Sequence, residues 1–312
     1  MLVAQRRATK GRPPPLTGLA AILPDGRLHL QEGPIDLVIG ADGPLEAVRA
    51  AYAAASGDFD GLLAALVAEL PLLRAPAGDM PAPVRGPIAR RMVAAVHPHR
   101  ATFVTPMAAV AGAVADHVLA AMVAGSLALD RAWVNDGGDI AFHLTPDTRF
   151  ELGLVPDLIA PALAGTATIG FDDPVRGAAT SGRGGRSFSL GIADAVTVLA
   201  ATAAAADAAA TLIGNAVDLP GHPAVRRGPA GDEDPDSDLG DRPVVLAVGT
   251  LSGDEVAAAL DRGLAEAERM RAAGLIHAAA LALQGQWRVA GGSQAFAATE
   301  PGRGRSSRNR LP

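Results

Sequence analysis

Two long runs of small apolar residues constrain this chain more than any other feature. Met107–Leu129 and Gly191–Val217 are the longest such runs, and the first carries Asp116 while the second carries Asp194 and Asp207. A carboxylate at a bilayer centre costs about 3 kcal/mol, so neither run is expected to span a membrane. "TPMAAVAGAVADHVLAAMVAG" (105–125) reads as a long helix of small residues. The second run reads as a strand, "DAVTVLAA", followed by an alanine-rich helix. Hydrophobic residues make up 49% of the chain but aromatics only 3%, so Ala, Val, Leu and Ile must fill the core. Side chains that small favour closely apposed layers.

Strand and helix signals alternate along the chain. "LAAILPDGRLHLQ" (19–31) contains two short strands around Pro24-Asp25-Gly26, and "IDLVIGA" (35–41) a third. Helical spacing follows in 44–55, 60–70 and 85–96, interrupted by a proline-rich stretch that no helix can continue. "RAWVNDGGDIAFHLT" reads as strand, tight turn and strand, reversing at Gly137-Gly138. "FELGLV" and "TATIG" add strands, and a helix over 252–274 starts at the cap residue Ser252 and ends at Gly274. "IHAAALALQGQWRVAGG" suggests a closing hairpin. These signals predict an α/β protein with α+β layering, in which mixed sheets pack against helices. The sheet-then-helices pattern occurs before and after about residue 130, which suggests internal duplication. Residues 16–298 read as a single domain between a basic tail (1–15) and a Gly/Arg/Ser-rich tail (299–312), both expected to be disordered.

The 312 residues carry a net charge of −6 and no cysteine. No basic face with interleaved aromatics is visible, which argues against nucleic-acid binding. Without cysteine there are no disulfides, thiolate metal sites or cysteine nucleophiles. "MLVAQRRATKGRPPP" has no apolar segment after its charges and does not read as a secretory signal. A cytoplasmic protein, monomeric or homo-oligomeric, is expected.

The chemistry concentrates in residues 176–217. Asp207 and Thr211 are four residues apart, so on a helix they share one face. A carboxylate and a hydroxyl one turn apart suit a hard cation such as Mg²⁺, which takes oxygen ligands and often bridges to phosphates. The same pair also fits a carboxylate near a helix N-terminus and a threonine bonded to the preceding turn. Upstream, Thr180, Ser181 and Gly182 supply hydroxyl and backbone donors, and Gly184 and Gly185 allow close approach of a ligand. With Arg176, Arg183 and Arg186 around them, these residues could hold a pyrophosphate, or could form a glycine-rich loop with solvated arginines. Asp139, after Gly137 and Gly138, either faces a ligand or completes an ordinary hairpin. Asp116 and His117 read as a satisfied core pair, and His97, His99, His143, His222 and His277 lack ligand spacing. "DEDPDSDLGDR" (232–242) misses the glycine and glutamate of a calcium loop. It is expected to be solvated, and irregular through about residue 235.

Four motifs in order, "VNDGGD" (134–139), "ATSG" (179–182), "AVTVLA" (195–200) and "ADAAAT" (206–211), resemble the ApbE family of FAD:protein FMN transferases. "FVTPMAAVAGAVAD" (103–116), "ATSGRGGRSFSLGIAD" (179–194) and "PDSDLGDR" (235–242) look still more like an uncharacterised ApbE-like branch. The resemblance covers most of residues 27–290. It implies an ApbE-like domain that binds FAD, with Gly137, Gly138, Asp139, Thr180, Ser181 and Gly182 at the cofactor and Mg²⁺ held partly by Asp207 and Thr211. It further implies cleavage of the FAD pyrophosphate and attachment of FMN to a Thr or Ser of a flavoprotein acceptor. One departure stands out: ApbE transferases carry a His-Ile-Ile-Asp-Pro type segment before the "VTV" strand, where this chain has "RSFSLGIAD". A flavin or nucleotide binder without transfer, or an assembly protein that keeps only the fold, are the other readings. In each, residues 176–217 are expected to line a cleft with Asn135–Asp139.

Overall fold

A computed structural model describes residues 18–125, 128–155, 165–185, 187–291 and 296–298. Both expected tails and Arg186 lie outside the described residues. The chain opens with β1 (Leu19–Ile22), β2 (Leu28–Glu32) and β3 (Ile35–Asp42), then leaves the sheet for α1 (Leu45–Phe59), α2 (Leu62–Ala68), α3 (Leu70–Leu73), α4 (Pro87–Val96) and α5 (Val110–Gly125). It returns as β4 (Arg131–Asp136) and β5 (Asp139–Leu144), and then builds β6 (Arg149–Leu154) and β7 (Gly165–Gly170). Next come β8 (Gly177–Ser181), β9 (Ala195–Ala200) and α6 (Ala203–Ala216). A ribbon of β10 (Val225–Pro229) and β11 (Pro243–Val248) encloses the short α7 (Ala230–Glu233). The long α8 (Gly253–Ala272), the hairpin β12 (Ala278–Leu283) and β13 (Gln286–Ala290), and β14 (Ala297–Ala298) complete the order.

Nine strands form the main sheet in the order β1-β2-β3-β4-β5-β8-β9-β12-β13, and β14-β7-β6 form a smaller one. The pairings between described strands are antiparallel. Strand alternation sends successive side chains to opposite faces. Ala132, Val134, Ala141, Ala179, Val196 and Val198 therefore join the helices in one core. Phe142, Ala178, Leu199 and Ala280 meet Leu152, Leu154 and Ile169 of the smaller sheet in a second core. The result is an α+β protein of three layers, helices on one face of the main sheet and a small sheet on the other. The repeated sheet-then-helices signal has a structural counterpart: hairpin, helices, hairpin occurs twice, as β2-β3 to β4-β5 and as β8-β9 to β12-β13.

The alanine-rich helices pack as tightly as their composition suggests. A Cβ on Gly112 of α5 would lie 2.3 Å from the Ala203 carbonyl oxygen, and one on Gly177 of β8 would lie 2.1 Å from Ala203 N. The start of α6 is thus pinched between α5 and β8. Gly177→Ala is expected to destabilise the protein by about 1–3 kcal/mol through overpacking, measured by urea denaturation. An unchanged midpoint would show that α6 can shift aside.

Residues Pro106–Gly125 are long and apolar enough to cross a membrane, with a mean hydropathy of 1.8. In this fold the segment packs against α1, α4, α6, β4 and β5, and Ala113, Val114, Ala115, Val118 and Met122 are buried. The helix predicted over 252–274 appears as α8, held by a full capping box between Ser252 and Glu255. His222 adds a bond to Glu255, and the donors around this carboxylate, led by the Ser252 amide, pull its pKa down to about 2.

Two expectations are corrected, and one ribbon is new. Thr180 and Ser181 end a strand where a loop was read, because Thr180 pairs with Thr197 and Ser181 with Val196 in the sheet. The "PVVLAV" strand β11 and its partner β10 were not foreseen. The acidic segment is also more regular than predicted. Ala230 N donates to Arg242 O, Gly231 N to Gly240 O and Asp234 N to Ala230 O, and Ala230 is buried. Asp238 accepts a short hydrogen bond from Thr105, Asp236 approaches Arg74, and the Arg242 guanidinium stacks on Phe103. The loop is folded back by these side-chain contacts, which aspartate content alone cannot reveal.

Candidate functional site

The main sheet has a weak seam. β5 and β8 pair over only two residue pairs, Ile140 with Ala178 and Ala141 with Gly177. At one end Phe142 N continues the ladder by donating to Arg176 O at 3.0 Å; at the other the Asp139 carboxylate takes over by accepting from Thr180 N at 3.3 Å. The β4–β5 turn beside the seam needs its two glycines, since Gly137 has φ 65° and Gly138 φ 115°. Asn135 Oδ1 locks that turn by accepting from Gly138 N at 2.8 Å.

A cavity of about 670 Å³ opens at this seam, between the main sheet and β6 of the smaller sheet. Its volume falls within the range of small-molecule sites, roughly 300–1,000 Å³. Asn135, Gly137, Gly138, Thr180, Ser181 and Gly182 border it, with Leu152 and Leu154 opposite. Thr180 Oγ1 and Thr197 Oγ1 share a hydrogen bond of 2.9 Å on its floor. At its rim Arg183 donates to Asp194 Oδ1 from both Nε (2.9 Å) and Nη2 (2.7 Å). Asp194 Oδ2 also accepts from Gln284 N, which ties the rim to the β12–β13 turn. Gly182 is required there, because a Cβ would sit 2.2 Å from Asp194 O. Arg176 does not take part: its guanidinium donates to the carbonyls of Phe171, Asp173 and Val175 and packs over the Phe171 ring.

Asp207 and Thr211 are not among the residues around this cavity. They lie on α6, which packs on the opposite face of the main sheet. Adjacent residues of β8 divide accordingly, with Thr180 facing the cavity and the Ser181 hydroxyl facing α6, 4.0 Å from where a Gly214 Cβ would be. Of the predicted site residues, the fold gathers Gly137, Gly138, Thr180, Ser181 and Gly182 at the cavity, places Asp139 in the seam, and puts Asp207 and Thr211 behind the sheet. Asp136, at the end of β4, lies near enough to Asp207 for their charges to interact.

Helices α5 and α6 exchange carboxylates. Asp116 of α5 accepts from Ala203 N (3.0 Å) and Ala204 N (2.9 Å) at the start of α6, and Asp207 of α6 accepts from Gly112 N (3.0 Å) near the start of α5. Burial pushes the Asp207 carboxyl up to about 7; amide bonds from Gly112 and Ala111 oppose this, and the nearby charges of Asp136 and Asp116 add to it. Asp116 is likewise raised by burial, against the two α6 amides. His117 does not pair with Asp116; its Nε2 lies 2.9 Å from Asp58, and burial lowers its pKa despite that neighbour. Among the described residues no group of three or more acidic, histidine or cysteine side chains is arranged to hold a metal ion. Asp207 and Thr211 are oxygen donors of the kind that a Mg²⁺ completed by water and phosphate oxygens takes, and as two side chains they could form only part of its shell.

Sequence reasoning missed Trp287, Gln284, Leu152 and Leu154, which also border the cavity. Only Trp287 left a trace, as one of two tryptophans in an aromatic-poor chain. The others are ordinary strand and turn residues brought in by the smaller sheet and the last hairpin.

Layered α+β architecture with a cavity at a mid-sheet seam defines the class. Residues 20–289 match the family described as AbpE bacteria. The chain belongs to this ApbE-related family. It is similar to UPF0280 proteins of three archaea. Identity is 37% over 114 residues with that of Archaeoglobus fulgidus, covering 36% of this chain and 45% of the relative. It is 38% over 140 residues with that of Methanothrix thermoacetophila, covering 45% and 56%. It is 43% over 114 residues with that of Methanopyrus kandleri, covering 36% and 43%. The chain spans about half the length of the curated relatives it matches.

Proposed function

We propose that this ApbE-like protein binds a flavin nucleotide, FAD, at the β5–β8 seam and that Mg²⁺ held by Asp207 and Thr211 assists transfer of FMN to a Thr or Ser of an acceptor flavoprotein. The observation that carries the reading is the cavity itself. Five residues of the family's glycine and Thr-Ser-Gly motifs converge there from β4–β5 and β8. The apolar walls suit a ring system, the paired threonines offer donors and acceptors to its edge, and the backbone at Gly137, Gly138 and Gly182 permits close approach. Bound Mg²⁺ supplies neutralisation of pyrophosphate charge. The chain's own residues orient the nucleotide: the small sheet shields it from water on one side, and the Arg183–Asp194 rim holds a cation near its polar end.

A second reading, flavin binding without transfer, has its own support. The main sheet separates Asp207 and Thr211 from the cavity, and "RSFSLGIAD" stands where transferases carry the His-Ile-Ile-Asp-Pro type segment. Calorimetric titration of FAD with Mg²⁺ or with chelator, into wild type, Asp207→Ala and Thr211→Val, separates the readings. Under the transferase reading Asp207→Ala abolishes the Mg²⁺ dependence, Thr211→Val weakens it, and wild type slowly cleaves the FAD pyrophosphate to FMN and AMP, with water standing in for the acceptor hydroxyl. Affinity that ignores both Mg²⁺ and the substitutions, with no AMP, leaves the binder. No FAD binding to wild type removes both.

A further inference from the structure

Among the described residues, the cavity lining has one aromatic side chain, and it lies outside the four motifs that carry the family resemblance. We infer that Trp287 is the stacking wall of this site and that the part of the ligand seated there is the flavin's isoalloxazine ring, its face against the indole and its polar edge toward Thr180 and Thr197. The inference rests on the proposed flavin reading and says which end of the nucleotide enters and what holds it.

Cross-strand register carries the argument. Trp287 of β13 is paired with Ala282 of β12, and Ala282 with Ala195 of β9. Trp287, Ala282, Ala195 and Gly182 all border the cavity. The indole therefore stands at one end of a floor of very small side chains. Three strand spacings separate β13 from β8, about 14 Å at roughly 4.8 Å each, enough room for a fused ring system to fit above this floor. Two residues along the same strands, Thr197 is paired with Thr180 on the same face. Each hydroxyl can donate or accept, so the pair can meet both kinds of polar atom on a heterocycle's edge. Trp287 is only partly buried, packed at the margin of the second core, so its ring faces both protein and cavity. Leu152 and Leu154 close the opposite side. A ring held between a tryptophan and aliphatic walls gains stacking and desolvation together.

The other tryptophan supplies the comparison. Trp133 lies across β3, where a Gly40 Cβ would be 2.0 Å from its ring, and meets Phe150 edge-on at 5.6 Å. It does not border the cavity. Titrating riboflavin and FAD into wild type, Trp287→Phe, Trp287→Leu and Trp133→Phe, while following tryptophan emission and flavin fluorescence, assigns the contact. Quenching of tryptophan emission is expected in every protein that binds flavin, since energy transfer also reaches Trp133, two residues along β4 from the cavity residue Asn135, but it should be strongest in Trp133→Phe, where only Trp287 reports, and clearly weaker in Trp287→Phe. Trp287→Leu should bind riboflavin about tenfold more weakly, and ribose 5-phosphate, which has no ring, should not quench. Flavin binding with quenching lost in Trp133→Phe but kept in Trp287→Phe, or unchanged affinity in Trp287→Leu, overturns the inference and leaves the flavin reading standing. Absence of binding by riboflavin, FMN and FAD to folded wild type overturns both.

Discussion

Replacing Asp116 with alanine is expected to destabilise the protein by about 2–4 kcal/mol, because two amides of α6 lose their acceptor at once. The N-terminal amides of a helix have no partners within it. Here the supply is complete: Asp116 takes those of Ala203 and Ala204, Thr202 Oγ1 takes that of Ala205, and Thr202 O takes that of Ala206. Ala203 and Ala204 are buried where α6 meets α5. An unsatisfied buried donor costs about 1–3 kcal/mol, and the tight approach at Gly112 offers little room for a replacement water. Asp116→Asn keeps one acceptor oxygen but turns its NH2 donor toward the other amide, so it should lose at least half as much. Urea denaturation of the three proteins gives the comparison. A loss under about 1 kcal/mol in the alanine variant, typical of an exposed cap, would mean that solvent already reaches these amides.

The second large effect is in pH. Burial raises the folded-state pKa of Asp207 to about 7, whereas an unfolded aspartate titrates near 3.9. Between those values the folded protein holds a proton that the unfolded chain has released. The stability from this group is therefore fully present below about pH 4 and is lost as pH rises through about 7. The slope is at most about 1.4 kcal/mol per pH unit. Urea midpoints from pH 4 to 8 in chelator should show this decline, with Asp207→Asn flattening it. Saturating Mg²⁺ should flatten it as well if the ion binds the ionised carboxylate, since a ligand that binds only the folded form stabilises it. An identical slope in wild type and Asp207→Asn would place the titration elsewhere, and an unchanged slope with Mg²⁺ would count against Asp207 as a ligand.

Asp116 and Asp207 also mark the limit of what local patterns disclose. Each stands out in a run of small apolar residues, so both were recognisable as carboxylates that must find partners. Their partners are backbone amides of a neighbouring helix, distant in sequence and identical to every other amide in the chain. The same holds for the folded acidic loop, whose anchors Thr105, Arg74 and Phe103 come from a different part of the chain, and for β10 and β11, which stabilise each other as a ribbon.

The sequence by itself determined the layering of helices on sheet, the glycine turn at Gly137-Gly138, the capped start of α8 and the ApbE relationship, because each rests on local periodicity, backbone conformation or ordered motifs. Only the tertiary structure decided where the candidate chemistry lies. Thr180 and Ser181 are adjacent in the chain, yet strand alternation turns one toward the cavity and the other toward α6. Asp207 and Thr211 share a helix face as their spacing requires, but the sheet beneath that helix separates them from the cavity. Trp287 enters the site only because β12 and β13 pair beside β9. Spacing within an element fixes which side chains share a face, whereas strand order and register fix what that face meets, and those depend on contacts between residues far apart in the chain.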